Sequence, residues 1–152
     1  MGGAQPGYDI CVSNIHNDFN GNLIRDLRAN GGKASSGPFH GADVLILTTT
    51  GAKSGEHREN PLAFSRDGDK LVIVASKGGA PTHPAWYHNL LKHPVVTVEV
   101  LGEKFKARAH VVNDDEDYER KYAEHARKMP GFNDYRRKTS RRIPVVVLEK
   151  VS

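Results

Sequence analysis

Residues 44–61 read V-L-I-L-T-T-T-G-A-K-S-G-E-H-R-E-N-P, and the rest of the chain is organised around them. The first seven, from Val44 to Thr50, are apolar or β-branched without polar alternation, the pattern of a strand covered on both faces. The chain then turns through Gly51-Ala52-Lys53-Ser54-Gly55 and returns as an extended, polar arm ending at Asn60-Pro61. Two glycines permit a tight turn, and Lys53, Ser54 and Arg58 bring cationic and hydroxyl donors to it. Such a tip suits an oxyanion held partly by backbone N–H groups. G-A-K-S-G lacks the spacing and the leading glycine of a phosphate-binding P-loop, so a plain solvated basic hairpin stays open beside the anion site.

Upstream, Tyr8, Val12, Ile15, Phe19, Leu23 and Leu27 recur three and four apart, one face of an amphipathic helix. Asn20-Gly21-Asn22 weakens its middle and Asn30-Gly31-Gly32 stops it. The stripe suits packing on a sheet, or docking on a membrane surface or partner. The first seven residues are expected to be loose, and 31–41 is a Gly/Ser-rich connection.

Downstream, Arg66-Asp67-Gly68-Asp69 is a turn, and Leu71 to Ala75 a second buried strand running into a Gly-rich loop, Ser76-Lys77-Gly78-Gly79. A short helix over 81–91 carries Trp86, Tyr87, Leu90 and Leu91 and stops at His93-Pro94. Residues 95–100 and 104–112 form a hairpin. Its second arm alternates Phe105, Ala107, Ala109 and Val111 inward with Lys104, Lys106, Arg108 and His110 outward. Asn113 and Glu116 resemble a capping box opening a helix to Lys128. A helical piece over 132–138 and a closing strand over 143–148 complete one domain, 1–152, with a barrel core over 42–150. The order predicts an α+β fold whose mostly antiparallel sheet forms a small barrel.

Composition narrows the function. A net charge of +4 without a dense Lys/Arg run argues against nucleic acid. Cys11 is the single cysteine, so no intrachain disulfide can form; with no apolar run of membrane-spanning length and no secretory signal, the reading is cytoplasmic. His83, His88 and His93 fall five apart, off a common helical face, which argues against a metal site. Neither Ser54 nor Ser76 sits in a G-x-S-x-G elbow.

Four stretches together carry a resemblance: L-I-L-T-T-T-G-A-K-S-G-E-H-R-E-N-P-L, V-A-S-K-G-G, P-A-W-Y-H-N-L and R-I-P-V-V-V-L. In this order the chain resembles the deazaflavin-dependent nitroreductases, which use coenzyme F420 on a split β-barrel related to the FMN-binding flavin reductases. The resemblance implies a hydride transfer from the reduced deazaflavin to a small electron-poor acceptor: a quinone, an activated enone or lactone, or a nitroaromatic. It implies that Lys53 and Arg58 hold the coenzyme's phosphate and glutamate tail, with Thr50 and Ser54 as hydroxyl donors. Asn60, Pro61, Ala75, Ser76, Lys77, Gly78 and Gly79 would line the ring, with Trp86 and Tyr87 as walls. Ala63, Met129, Phe132 and Tyr135 would face the acceptor, and Tyr135 is the candidate proton donor. Nitroimidazole-reducing members carry tyrosines at the positions of Ala63, Met129 and Phe132, so bulky apolar acceptors are expected here instead. An FMN-dependent reductase of the same fold and a non-catalytic coenzyme carrier are the alternatives.

Overall fold

The computed structural model describes residues 12–37 and 39–151, with side chains in the first helix from Phe19 onward. In it the 44–61 stretch forms β1 (Val44–Thr50) and the start of β2 (His57–Ala63), paired antiparallel from Val44↔Ala63 to Thr50↔His57. β1 is covered on both faces, as its unbroken apolar run predicts: Leu45 and Leu47 enter the inner core, while Val44 and Ile46 face an outer cluster. Pro61, which cannot donate a ladder hydrogen bond, sits in β2, a sheet edge that pairs only with β1.

The remaining strands are β3 (Ser65–Asp67), β4 (Lys70–Val74), β5 (Val95–Val100), β6 (Glu103–Val111) and β7 (Val145–Lys150). All pair antiparallel in one seven-stranded sheet, in the order β2-β1-β5-β6-β7-β4-β3. Its two edge strands, β2 and β3, are consecutive in the chain and joined by the buried Phe64 alone. The sheet therefore curls until covalent continuity, rather than a hydrogen-bonded ladder, brings its edges together. This is the expected split barrel, α+β in class. Leu45, Leu47, Phe64, Ile73, Trp86, Leu90, Val98 and Leu148 fill its interior.

Four helices flank it: α1 (Val12–Ala29), α2 (Ala85–Lys92), α3 (Asp115–Lys128) and α4 (Gly131–Lys138). α1 runs through Asn20-Gly21-Asn22 without a break and lays Leu23, Ile24 and Leu27 on Val44 and Ile46. Arg28 fastens it there through Glu59 of β2 (2.7 Å) and Glu99 of β5 (2.9 Å). That half of the stripe is spent on the sheet, so docking on a membrane finds no support there. Tyr8 and the first seven residues, expected above to be loose, lie outside the described residues, as does Cys11. Among the described residues no helix is long and apolar enough to cross a membrane.

Arg66 and Asp67, read above as part of a turn, instead pair with Leu71 and Lys70 in β3, because the positive φ of Gly68 lets Gly68-Asp69 alone reverse the chain. Four further differences from the sequence reading have local causes. α2 begins at Ala85 rather than 81, because Pro84 holds extended backbone at its N-cap and disfavours helix before it; Trp86 and Leu90 share its buried face, and Leu91 is exposed. A short 3₁₀ turn, Lys77–Gly79, replaces the expected plain loop. α3 is capped by Asp114, whose carboxylate accepts from the Asp117 N–H (2.8 Å), not by Asn113. A carboxylate serves better there than an amide because it also meets the helix dipole. β7 starts at Val145 because Pro144 has no N–H; instead the Ile143 carbonyl accepts from the Tyr118 hydroxyl and the Pro144 carbonyl from Ala75 N–H.

Candidate active site

The β1–β2 tip is a tight, internally bonded turn. Gly51 N–H donates to the Glu56 carbonyl (2.7 Å) and Gly55 N–H to that of Gly51 (2.9 Å). A Cβ on Gly51 would stand 2.6 Å from Ser54 Oγ and 3.2 Å from the Glu56 carbonyl oxygen, so glycine here is what lets the Ser54 hydroxyl fold back into the turn. Ser54 Oγ accepts from Glu56 N–H (3.1 Å), leaving its own proton free to donate. α2 pins the tip from the other side: Ala52 N–H donates to Asn89 Oδ1 (3.0 Å), and Asn89 Nδ2 donates to Thr49 Oγ1 (3.2 Å). Lys53 and Arg58 project into solvent; Arg58 meets only the exposed Glu56 (3.2 Å), and Lys53 has no carboxylate partner among the described residues.

A cavity of about 1100 Å³ opens beside this tip, between α1, α2 and the outer face of the sheet. Of the residues picked out from sequence, it gathers Lys53, Ser54, Arg58, Asn60 and Trp86. Trp86 belongs mainly to the barrel core and shows only an edge to the cavity. His57, His88 and Lys104 add cationic or titratable groups, and the Glu59 carboxylate on its wall is occupied by Arg28. A cationic rim over an aromatic edge, with its one carboxylate neutralised, fits a polyanion carrying a flat ring.

Thr50, Pro61 and Tyr87 do not line this cavity. Thr50 pairs with His57 at the tip, and Pro61 is buried within β2. Tyr87, one helical step from Trp86, turns to His83 instead (ring centroids 4.8 Å apart), and burial raises its hydroxyl pKa.

A second group forms where α4 meets the loop after β4. Ala75, Ser76 and Gly79 are buried there, with Lys77 and Gly78 exposed. A Cβ on Gly79 would come within 3.0 Å of the Tyr135 carbonyl and of Lys138 Cβ, so α4 lies directly on this turn. Phe132 packs against Tyr135 (5.1 Å between ring centroids) and against the buried His125 (4.4 Å). Met129 follows Lys128, which is ion-paired with Asp43; Ala63 lies beside that point, opposite Val44 at the far end of β2. Among the described residues no cluster of His, Cys, Asp or Glu could hold a metal ion.

Sequence reasoning missed Asn89, His57, Glu59 and Arg141. Asn89 lies inside the quoted P-A-W-Y-H-N-L, but its role is visible only once α2 is placed against the tip.

Comparison with known proteins bears on this arrangement. Residues 22–150 match the family described as F420H(2)-dependent quinone reductase. The F420H(2)-dependent quinone reductase Rv1261c of Mycobacterium tuberculosis is 44% identical over 108 residues, 70% of this chain and 72% of that one. Among solved structures, an F420-H2 dependent reductase (FDR-A) superposes with a TM-score of 0.64 at 36% identity, covering 70% of this chain and 94% of that one. Another, described as a domain-swapped dimer, superposes at 0.67 with 29% identity and covers 91% of this chain and 100% of that one. The split barrel and the four sequence motifs thus have one explanation: the chain belongs to the F420H(2)-dependent quinone reductase family, oxidoreductases whose coenzyme is F420.

Proposed function

We propose that this chain reduces bulky, largely apolar acceptors, quinones first and activated enones or lactones second, and reduces compact nitroimidazoles poorly. The observation that carries this is the α3–α4 wall. Phe132 stands there wedged between His125 and Tyr135, with the thioether of Met129 nearby in sequence and the methyl of Ala63 at the end of β2. Of these four acceptor-facing candidates only Tyr135 carries a hydroxyl, and a nitro group or a developing oxyanion needs oriented donors.

When bound, reduced F420 supplies the hydride. The protein's share is to bind, orient and protonate. Lys53 and Arg58 would hold the phosphate and the acidic tail by charge-assisted hydrogen bonds, with Ser54 Oγ–H as a further donor. Trp86, Asn60 and the 75–79 loop would line the ring, and Tyr135, whose backbone carbonyl lies against Gly79, would offer its hydroxyl as proton donor to the reduced acceptor.

The test compares anaerobic turnover of menadione, a cyclic enone and a bicyclic nitroimidazole. Menadione should be reduced at least tenfold faster than the nitroimidazole, and Phe132→Tyr should narrow that ratio; one missing oxyanion donor is worth roughly a hundredfold in rate. A parent protein that reduces the nitroimidazole as fast as menadione contradicts the proposed acceptor preference.

A further inference from the structure

Arg141, in the connection between α4 and β7, is half-buried and has no carboxylate partner among the described residues. Its neighbour Arg142 is an ordinary surface arginine, paired with Asp115 (2.9 Å) and lying over the Tyr118 ring. Arg141 instead spends its guanidinium on neutral acceptors of one segment. Nε donates to the Ala80 carbonyl (2.9 Å), and Nη2 to those of Ser76 (2.8 Å) and Ala75 (3.2 Å). Nη1 donates to Nδ1 of His83 (2.8 Å). A planar, rigid fork with donors only is suited to hold several carbonyls in one fixed arrangement, which a lysine cannot reproduce.

The segment so held is under conformational constraint. Lys77, Gly78 and Gly79 are consecutive residues at positive φ (48°, 65° and 85°), and Lys77 is one of two non-glycine residues described there. Such backbone persists only where its surroundings over-determine it. Two short-range bonds close the turn, Gly79 N–H to Ser76 O and Ala80 N–H to Lys77 O. Arg141 grips the same stretch from outside it. Because arginine cannot accept, the bond to His83 requires an unprotonated Nδ1, so the neutral ring carries its proton on Nε2. That ring packs on Tyr87 (4.8 Å) and on His88 (5.8 Å), and His88 lines the cavity at the tip.

We propose that Arg141 is a positioning residue for hydride transfer: it sets the 75–80 wall and the His83 tautomer, and so couples the loop under α4 to the cavity beside the β1–β2 tip. The proposal rests on the F420 reading above, because only then does the 75–80 wall face a reacting ring. Its signature is a split: coenzyme affinity depends on the tip, and turnover depends on Arg141.

The experiment uses the full chain with Arg141→Ala and Arg141→Lys. In the coenzyme-free proteins, amide exchange at Lys77, Gly78 and Gly79 should quicken at least tenfold, and long-range nitrogen NMR should show His83 losing its Nε2–H preference. The melting temperature should stay within about 5 °C of the parent. With coenzyme, the Kd from fluorescence titration should change less than about threefold. Turnover with menadione should fall tenfold to a hundredfold, the range for slight misplacement of reacting groups. Ethylguanidinium should restore part of the Arg141→Ala rate, and Arg141→Lys should stay slow. Unchanged turnover in both variants overturns the proposal, and so does a loss of affinity and turnover together with a fall in melting temperature, which marks plain fold support. Should Arg141→Ala not fold, Arg141→Lys, which keeps the charge, decides by the same readouts. If the parent does not bind F420, the functional reading fails by itself, while exchange and tautomer still decide whether Arg141 holds the loop.

Discussion

At the scale of single residues, His125 shows how burial sets chemistry. It is fully buried in α3, its Nδ1 is 2.9 Å from Ser65 Oγ, and its Nε2 has no partner among the described residues. Burial, and to a lesser degree the charge of Lys128, pushes its pKa down to about 4. The folded state therefore resists protonation at pH values where the unfolded chain, near its ordinary pKa of about 6.5, accepts it. The stability from a neutral His125 is fully present above about pH 6.5 and is lost progressively as pH falls towards 4; the depression corresponds to about 3 kcal/mol at most. Urea unfolding of parent and His125→Gln at a series of pH values should show this extra slope between pH 6.5 and 4 in the parent only. Equal slopes would mean that His125 is solvated or charged in the fold. Nothing in E-H-A-R-K distinguished this histidine from the other seven; its burial follows from which face of α3 meets the sheet, where Tyr118, Tyr122 and Ala126 also lie.

At the scale of elements, α2 holds the tip in place through Asn89. Asn89→Ala removes both the acceptor for Ala52 N–H and the donor to Thr49, and should weaken coenzyme binding by about 1–2 kcal/mol with a small loss of stability. Asn89→Asp keeps the acceptor but brings a negative charge to an anion site, so its loss should be larger and should shrink as salt rises. Salt-independent titrations with equal losses in the two variants would remove the tip from the anion site. Most elements were legible beforehand because local signals agreed: an unbroken β-branched run for β1, two glycines for the tip, strict alternation in β6. Boundaries slipped where a proline or a stronger cap competed, at Pro84, Pro144 and Asp114. The Asn89 pin and the Arg141 fork were not legible, since each joins residues tens of positions apart.

At the scale of the whole molecule, the split barrel yields two neighbouring regions rather than one. The cavity between α1, α2 and the sheet gathers the cationic tip, and the α3–α4 side gathers Phe132 and Tyr135 against the loop after β4. The family motifs mark both without indicating that Trp86 shows only an edge to the cavity or that Tyr87 turns away from it. Arg28 closes α1 over the sheet and neutralises Glu59, leaving the cavity wall with a cationic excess, as the proposed polyanionic ligand would require. The most direct test is anaerobic mixing of the protein and reduced F420 with menadione, run beside the double variant Lys53→Ala/Arg58→Ala and beside FMN as coenzyme. The account predicts rapid oxidation of the deazaflavin by the parent and no turnover with FMN. In the double variant it predicts coenzyme binding weaker by about 1–3 kcal/mol for each lost charge-assisted contact. Tight binding and turnover with FMN alone, or undiminished F420 affinity in the double variant at low salt, would contradict it.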